Sequence, residues 1–123
     1  YFMFIDDDDM ISDDALFLIM SMIESNSPDV VSLDGVLTTD GKNPQAFTHS
    51  LRYTDWFEKD GIDCRPPNHL NPMRTEIGKQ FRFPDIFHGE DKQWSMDICK
   101  AGVLKREVSI GKPYYFYQYS PNK

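Results

Sequence analysis

The chain has little positive charge to offer. Its 13 Lys and Arg stand against 20 Asp and Glu, a formal net charge of -7, and no Lys/Arg run occurs. Nucleic acids are bound through clustered cations, so a nucleic acid is excluded as a general partner. Long apolar runs are also missing. The longest, Ala15 to Met20, falls far short of the roughly 20 residues that a membrane helix needs. No asparagine opens a glycosylation sequon, since Asn26-Ser27 is followed by Pro28. No signal peptide or transmembrane segment is expected, and the location expected is a soluble, cytoplasmic one. Cysteine is scarce: Cys64 and Cys99 fit no metal-binding spacing. They are expected as reduced thiols, with a single disulfide as the alternative. Internal repeats and low-complexity linkers are absent too.

What is present fits one small domain of 123 residues, large enough for a hydrophobic core. Its most informative feature lies near the start, where Tyr1-Phe2-Met3-Phe4-Ile5 runs into Asp6-Asp7-Asp8-Asp9. An apolar, aromatic segment bounded by a polar cluster reads as a buried strand. The aspartates then stand where that strand leaves the sheet, the usual place for ligands in open α/β sheets. Clustered carboxylates raise each other's pKa unless a cation neutralises them, and Mg²⁺ or Mn²⁺ suits such oxygens. A solvated acidic turn is the alternative. EF-hand spacing fails: counted from Asp6, Ile11 and Phe17 stand where glycine and glutamate are needed. Because Tyr1 already lies inside what reads as a central strand, a fragment lacking earlier strands is expected.

Further along, Ser12 with Asp13-Asp14 predicts a helix from about Asp13 to Glu24, ended by Asn26-Ser27-Pro28. Apolar nearly all round, it is expected to be buried on more than one side. Val30 to Leu33 and Val36 to Thr39 read as strands, and Asp40-Gly41 as a turn into a hairpin partner between Ala46 and Tyr53. Asp55 to Gly61 reads as a short helical turn, and Arg65-Pro66-Pro67 as extended chain. Thr75 to Gln80 and Glu90 to Ala101 are predicted helices, the second carrying Trp94, Ile98 and Ala101 on one face and stopped by Gly102. Val103 to Ile110 and Tyr114 to Tyr119 are β-rich. The Tyr114 to Tyr117 rings fit sheet packing, Trp94 fits the core ahead of a sugar-stacking role, and His49 reads as a surface residue.

Glu90-Asp91 forms a second acidic pair at a helix start, where the dipole favours carboxylates. Beside the aspartate cluster, one acidic site would hold a metal and the other supply a general base. At this point the sequence resembles a family. Tyr1 to Asp9 ("YFMFIDDDD"), His69-Leu70-Asn71-Pro72-Met73-Arg74, and Phe83-Pro84-Asp85 leading to "HGED" at His88 to Asp91 are similar to the second half of a GT-A glycosyltransferase. The likeness is to family-2-like enzymes, with some likeness to galactosyltransferases.

The resemblance implies a partial GT-A fold of α/β class: a mixed sheet with flanking helices, without the N-terminal nucleotide-binding strands, in a single domain 1–123. It implies metal-dependent transfer of a sugar from a nucleotide-sugar donor, UDP-linked by first expectation, to a hydroxyl of a glycan or other acceptor, with inversion. A DxD motif would hold Mn²⁺ or Mg²⁺ through Asp6, Asp8 and Asp9, with His88 as a further ligand. The registers Asp6/Asp8 and Asp7/Asp9 both satisfy the motif. Asp6, Asp7, His69 and Arg74 would face the donor. Asp91 would deprotonate the acceptor hydroxyl and Glu90 would orient the acceptor. An unpaired edge of the Tyr1 to Ile5 strand would favour a homo-oligomer. The reading from a different class is a non-catalytic acidic module that binds a cation or a protein partner.

Overall fold

The structure, a computed structural model, describes residues 1–81 and 90–119; the side chains of Glu90 and Asp91 lie outside that description. In chain order come β1 (Met10–Ile11), α1 (Ala15–Asn26), β2 (Val30–Val31), β3 (Leu33–Thr39), β4 (Lys42–His49), β5 (Phe57–Lys59) and β6 (Ile62–Arg65). Then follow α2 (Thr75–Gly78), α3 (Glu90–Ala101), β7 (Glu107–Val108) and β8 (Tyr115–Tyr119). Among the described residues, six strands form a mixed sheet in the order β1-β8-β3-β4-β6-β5, while β2 and β7 pair in parallel beside it. The class is therefore α/β with a mixed sheet and helices, as expected. No helix among the described residues is long and apolar enough to cross a membrane.

Two Asp-Gly corners set the register of this sheet. Asp40 (φ 52) and Gly41 (φ 76) join β3 to β4, and Asp60 (φ 54) and Gly61 (φ 76) join β5 to β6. Two successive residues with positive φ make the tight turn whose twist matches paired strands. The expected helical turn at Asp55 to Gly61 is thus a hairpin: the same dipeptide makes the same corner twice. Between the hairpins, β4 and β6 run parallel, with Phe47 opposite Asp63 and His49 opposite Arg65. On the other side β3 pairs in parallel with β8, placing Leu37 opposite Tyr117.

The first residues depart from expectation. Tyr1 to Ile5 is not a strand of the main sheet. Phe2 exchanges both backbone hydrogen bonds with Met73, and the Phe4 amide donates to the His69 carbonyl at 3.0 Å. Met73 also bridges Val30, so this segment extends the small β2–β7 layer. The ladder stops because the next amide in register, that of Asn71, turns back to the Asn68 carbonyl (3.0 Å). Among the described residues the segment meets that layer through the single Phe2–Met73 bridge and is not the main-sheet strand whose unpaired edge was expected to favour a homo-oligomer.

The first helix also differs from its reading. Only Ala15 and Ile19 are buried, packed with Val31, Leu33 and Tyr115, while Leu16, Phe17 (73% exposed) and Met20 face outward. Ser12 does not cap it by its side chain; its hydroxyl donates to Asp14. The Asp14 carboxyl is held below its ordinary pKa, first by its bond to Lys112 and then by Ser12. The late helix matches its reading closely. Trp94 and Ile98 are buried against Val30 and Met73, and Gly102 (φ 64) ends it, although Ala101 is exposed. Cys64 and Cys99 are free thiols.

Candidate functional site

Side chains alternate across a strand, so residues two apart share a face. On one face of the sheet this rule lines up Leu37 of β3, Phe47 and His49 of β4, Asp63 and Arg65 of β6, and Tyr117 and Tyr119 of β8. Together with Trp56, Asn68, His69, Leu70 and Asp6 they enclose a cavity of about 370 Å³. Its walls are aromatic with a few convergent polar groups, the usual make-up of a small-ligand site.

The acidic turn reaches this cavity through Asp6. The Asp9 amide donates to the Asp6 carbonyl at 2.9 Å, closing a turn over Asp7 and Asp8. One Asp9 carboxylate oxygen accepts from the Tyr115 hydroxyl (2.6 Å) and the other from the Gln118 amide (2.9 Å), so this residue anchors the turn to β8. Burial, then the Asp9 bond, pushes the Tyr115 hydroxyl far above its ordinary pKa and keeps it a donor. Asp6 lies half exposed with Oδ1 3.8 Å from His69 Nε2. Asp6 and Asp7 also border a shallow cleft with Phe4, Ile5 and His69. Asp8 is exposed.

Arg74 goes elsewhere. Its guanidinium donates to the Ser27 and Pro28 carbonyls, pairs with Asp29 at 3.5 Å and lies over the Tyr1 ring. Those contacts tie the α1–β2 connection to the start of the chain, and Arg74 is not in the cavity wall. Glu90 and Asp91 open α3. The next residue, Lys92, places its ammonium 4.7 Å from the centre of the Trp56 ring, which brings that helix start to the cavity wall. His88 lies outside the described residues.

A metal would have to be held by an incomplete protein set. Among the described residues no group of three or more His, Cys, Asp or Glu side chains converges on one point. Mg²⁺ does not require one, since one or two carboxylates with substrate phosphates and water suffice. The exposed, hard oxygens of Asp6 and Asp8 fit that mode, whereas Asp9 is turned to the sheet.

The sequence reading missed His49. It is 1% exposed, with its Nδ1 3.2 Å from Asn71 Oδ1 and no partner for Nε2. Burial first, and the Arg65 charge second, lowers its pKa to about 3. The signal was available: in Phe47-Thr48-His49 the histidine shares the phenylalanine's face. Trp56, Asp63, Arg65 and Asn68 were missed as well, because the second hairpin was not recognised.

No protein family, curated protein or solved structure matches this chain. Its function must be argued from these residues.

Proposed function

We propose that this chain carries a metal-dependent glycosyltransferase site, moving a sugar from a nucleotide-sugar donor to an acceptor hydroxyl. One observation carries the reading. The acidic turn and the His69 segment, two of the stretches that resemble GT-A enzymes, meet at 3.8 Å on the wall of one cavity. The start of α3, where Glu90 and Asp91 stand, reaches the same wall through Lys92 and Trp56.

In this reading Asp6 and Asp8 hold Mn²⁺ or Mg²⁺ beside the donor diphosphate, and Asp7 flanks them. The cation, when bound, offsets charge on the departing diphosphate. Asp9 holds the turn in place through Tyr115 and Gln118. His69 orients the Asp6 carboxylate. Asp91 takes the proton of the acceptor hydroxyl as the sugar is transferred with inversion, and Glu90 orients that acceptor.

Calorimetric titration with Mn²⁺ and then with UDP-glucose and UDP-galactose tests this. The expected result is cation binding that Asp8→Asn weakens strongly, and UDP-sugar binding that depends on the cation. Cation binding with indifference to both nucleotide sugars would instead support a non-catalytic acidic module. Unchanged Mn²⁺ affinity in folded Asp8→Asn would make the cluster a solvated turn.

A further inference from the structure

The deepest polar group in the cavity wall is an acceptor with nothing to accept. Asn71 is wholly buried, and its amide nitrogen donates to the Val31 carbonyl at 2.9 Å. That bond fixes which end of the amide is oxygen. The oxygen accepts from the Asn68 amide (3.1 Å) and faces His49 Nδ1. An amide oxygen cannot donate, so Nδ1 carries the imidazole proton. Burial keeps the ring neutral. Nε2 is therefore a bare lone pair, buried and unpartnered. A second orphan in the same wall is its complement: the Trp56 Nε1–H, a donor without an acceptor.

Leaving such groups unmet costs free energy, and a cavity of about 370 Å³ has room for a ligand that meets both. An anion is the wrong ligand at Nε2, since phosphate or carboxylate oxygens would oppose the lone pair. Neutral sugar oxygens suit both groups, a hydroxyl giving its proton to Nε2 and another oxygen accepting from the indole N–H. Phe47, Tyr117 and Tyr119 add apolar ring surface for the C–H faces of a sugar.

We propose that this part of the cavity is a recognition subsite for a neutral sugar ring, with His49 Nε2 accepting from one ring hydroxyl and Trp56 Nε1–H donating to a ring oxygen. The subsite rests on the glycosyltransferase reading for its place in a reaction, though not for its chemistry. His49 acts here as a binding residue that selects hydroxyl donors.

The test is ¹⁵N NMR of the His49 ring in the full chain with Mg²⁺ present. Probes are UDP, UDP-glucose, UDP-galactose, methyl glucoside, methyl galactoside and glucuronate. The expected result is an Nε2 resonance that moves toward the hydrogen-bonded position with at least one neutral sugar, free or UDP-linked, and stays put with UDP and glucuronate. Movement with UDP-sugars alone assigns the donor sugar, and movement with a free glycoside assigns the acceptor. His49→Phe should weaken that ligand about tenfold, the scale of one lost hydrogen bond. His49→Gln, whose amide oxygen can replace Nε2, should recover part of the loss. Movement with UDP alone would put the base there and overturn the proposal. So would an Nε2 signal unmoved by every sugar in a folded protein. If UDP-sugars bind and Nε2 is silent, the subsite fails and the glycosyltransferase reading stands. If free glycosides move Nε2 and no nucleotide sugar binds, the reverse holds.

Discussion

His49 and Asn71 make one unit, and its behaviour in acid follows from burial. Folded, the imidazole has a pKa of about 3; unfolded, it returns to 6.5. Between those values the unfolded chain binds a proton that the native chain refuses, so the native state loses stability as pH falls from 6.5 toward 3. Above 6.5 both states are neutral and the contribution vanishes. Urea unfolding at stepped pH should show the loss beginning near pH 6.5, above the range of ordinary carboxylates, with a slope approaching about 1.4 kcal/mol per pH unit. Full protonation of His49 at pH 5 in the folded protein, read by NMR, would contradict this. Why the sequence hid the residue is also a matter of scale. Histidine is commonly a surface residue, and only the Phe47-Thr48-His49 alternation, joined to a partner 22 residues later, marks this one as interior.

At the scale of the element, space decides what a strand or helix tolerates. A Cβ on Gly35 would stand 2.3 Å from the Tyr115 carbonyl oxygen and 2.4 Å from the Phe47 ring, so β3 fits between β4 and β8 only with glycine there. Gly35→Ala should destabilise by about 1–3 kcal/mol, as overpacking does, or more because one contact is backbone. On α1 the opposite holds: Phe17→Ser, at a position 73% exposed, should move the urea midpoint by no more than about 0.5 kcal/mol equivalent. A large loss at Phe17 would show that the helix packs on its outer side after all. The long helices and the first hairpin were legible because apolar spacing, the Gly102 stop and Asp-Gly act locally. The second hairpin carried the same dipeptide, yet Trp56 to Lys59 alternates too briefly to declare a strand. The fate of Tyr1 to Ile5 was not legible. An apolar run states that it wants a partner, and the choice between the main sheet and Met73 is made by distant residues.

For the whole molecule, the proposed chemistry depends on parts drawn from separated stretches: the acidic turn, the His69 segment and the start of α3. Sequence order alone suggested that these belong together; the cavity shared by the acidic turn and the His69 segment, and the β4 and β6 side chains that furnish it, required the fold. If Asp91 is the base, Asp91→Asn should cut turnover roughly a hundredfold, the usual scale for losing a general base. Affinity for the donor should hardly change, since the base acts on the acceptor; full turnover would remove Asp91 from the mechanism. The strand order has a further effect, on how the site comes into being. β8 lies between β1 and β3, although it is the last strand of the described chain. Until it is in place, Asp9 lacks both Tyr115 and Gln118, and the acidic turn has no anchor on the sheet. Such pairings close large loops and come late in folding. During synthesis, therefore, Asp9 emerges 106 residues before the Tyr115 that anchors its turn. A partly made protein has the carboxylates without their geometry, and cation affinity should rise only as the last strand docks.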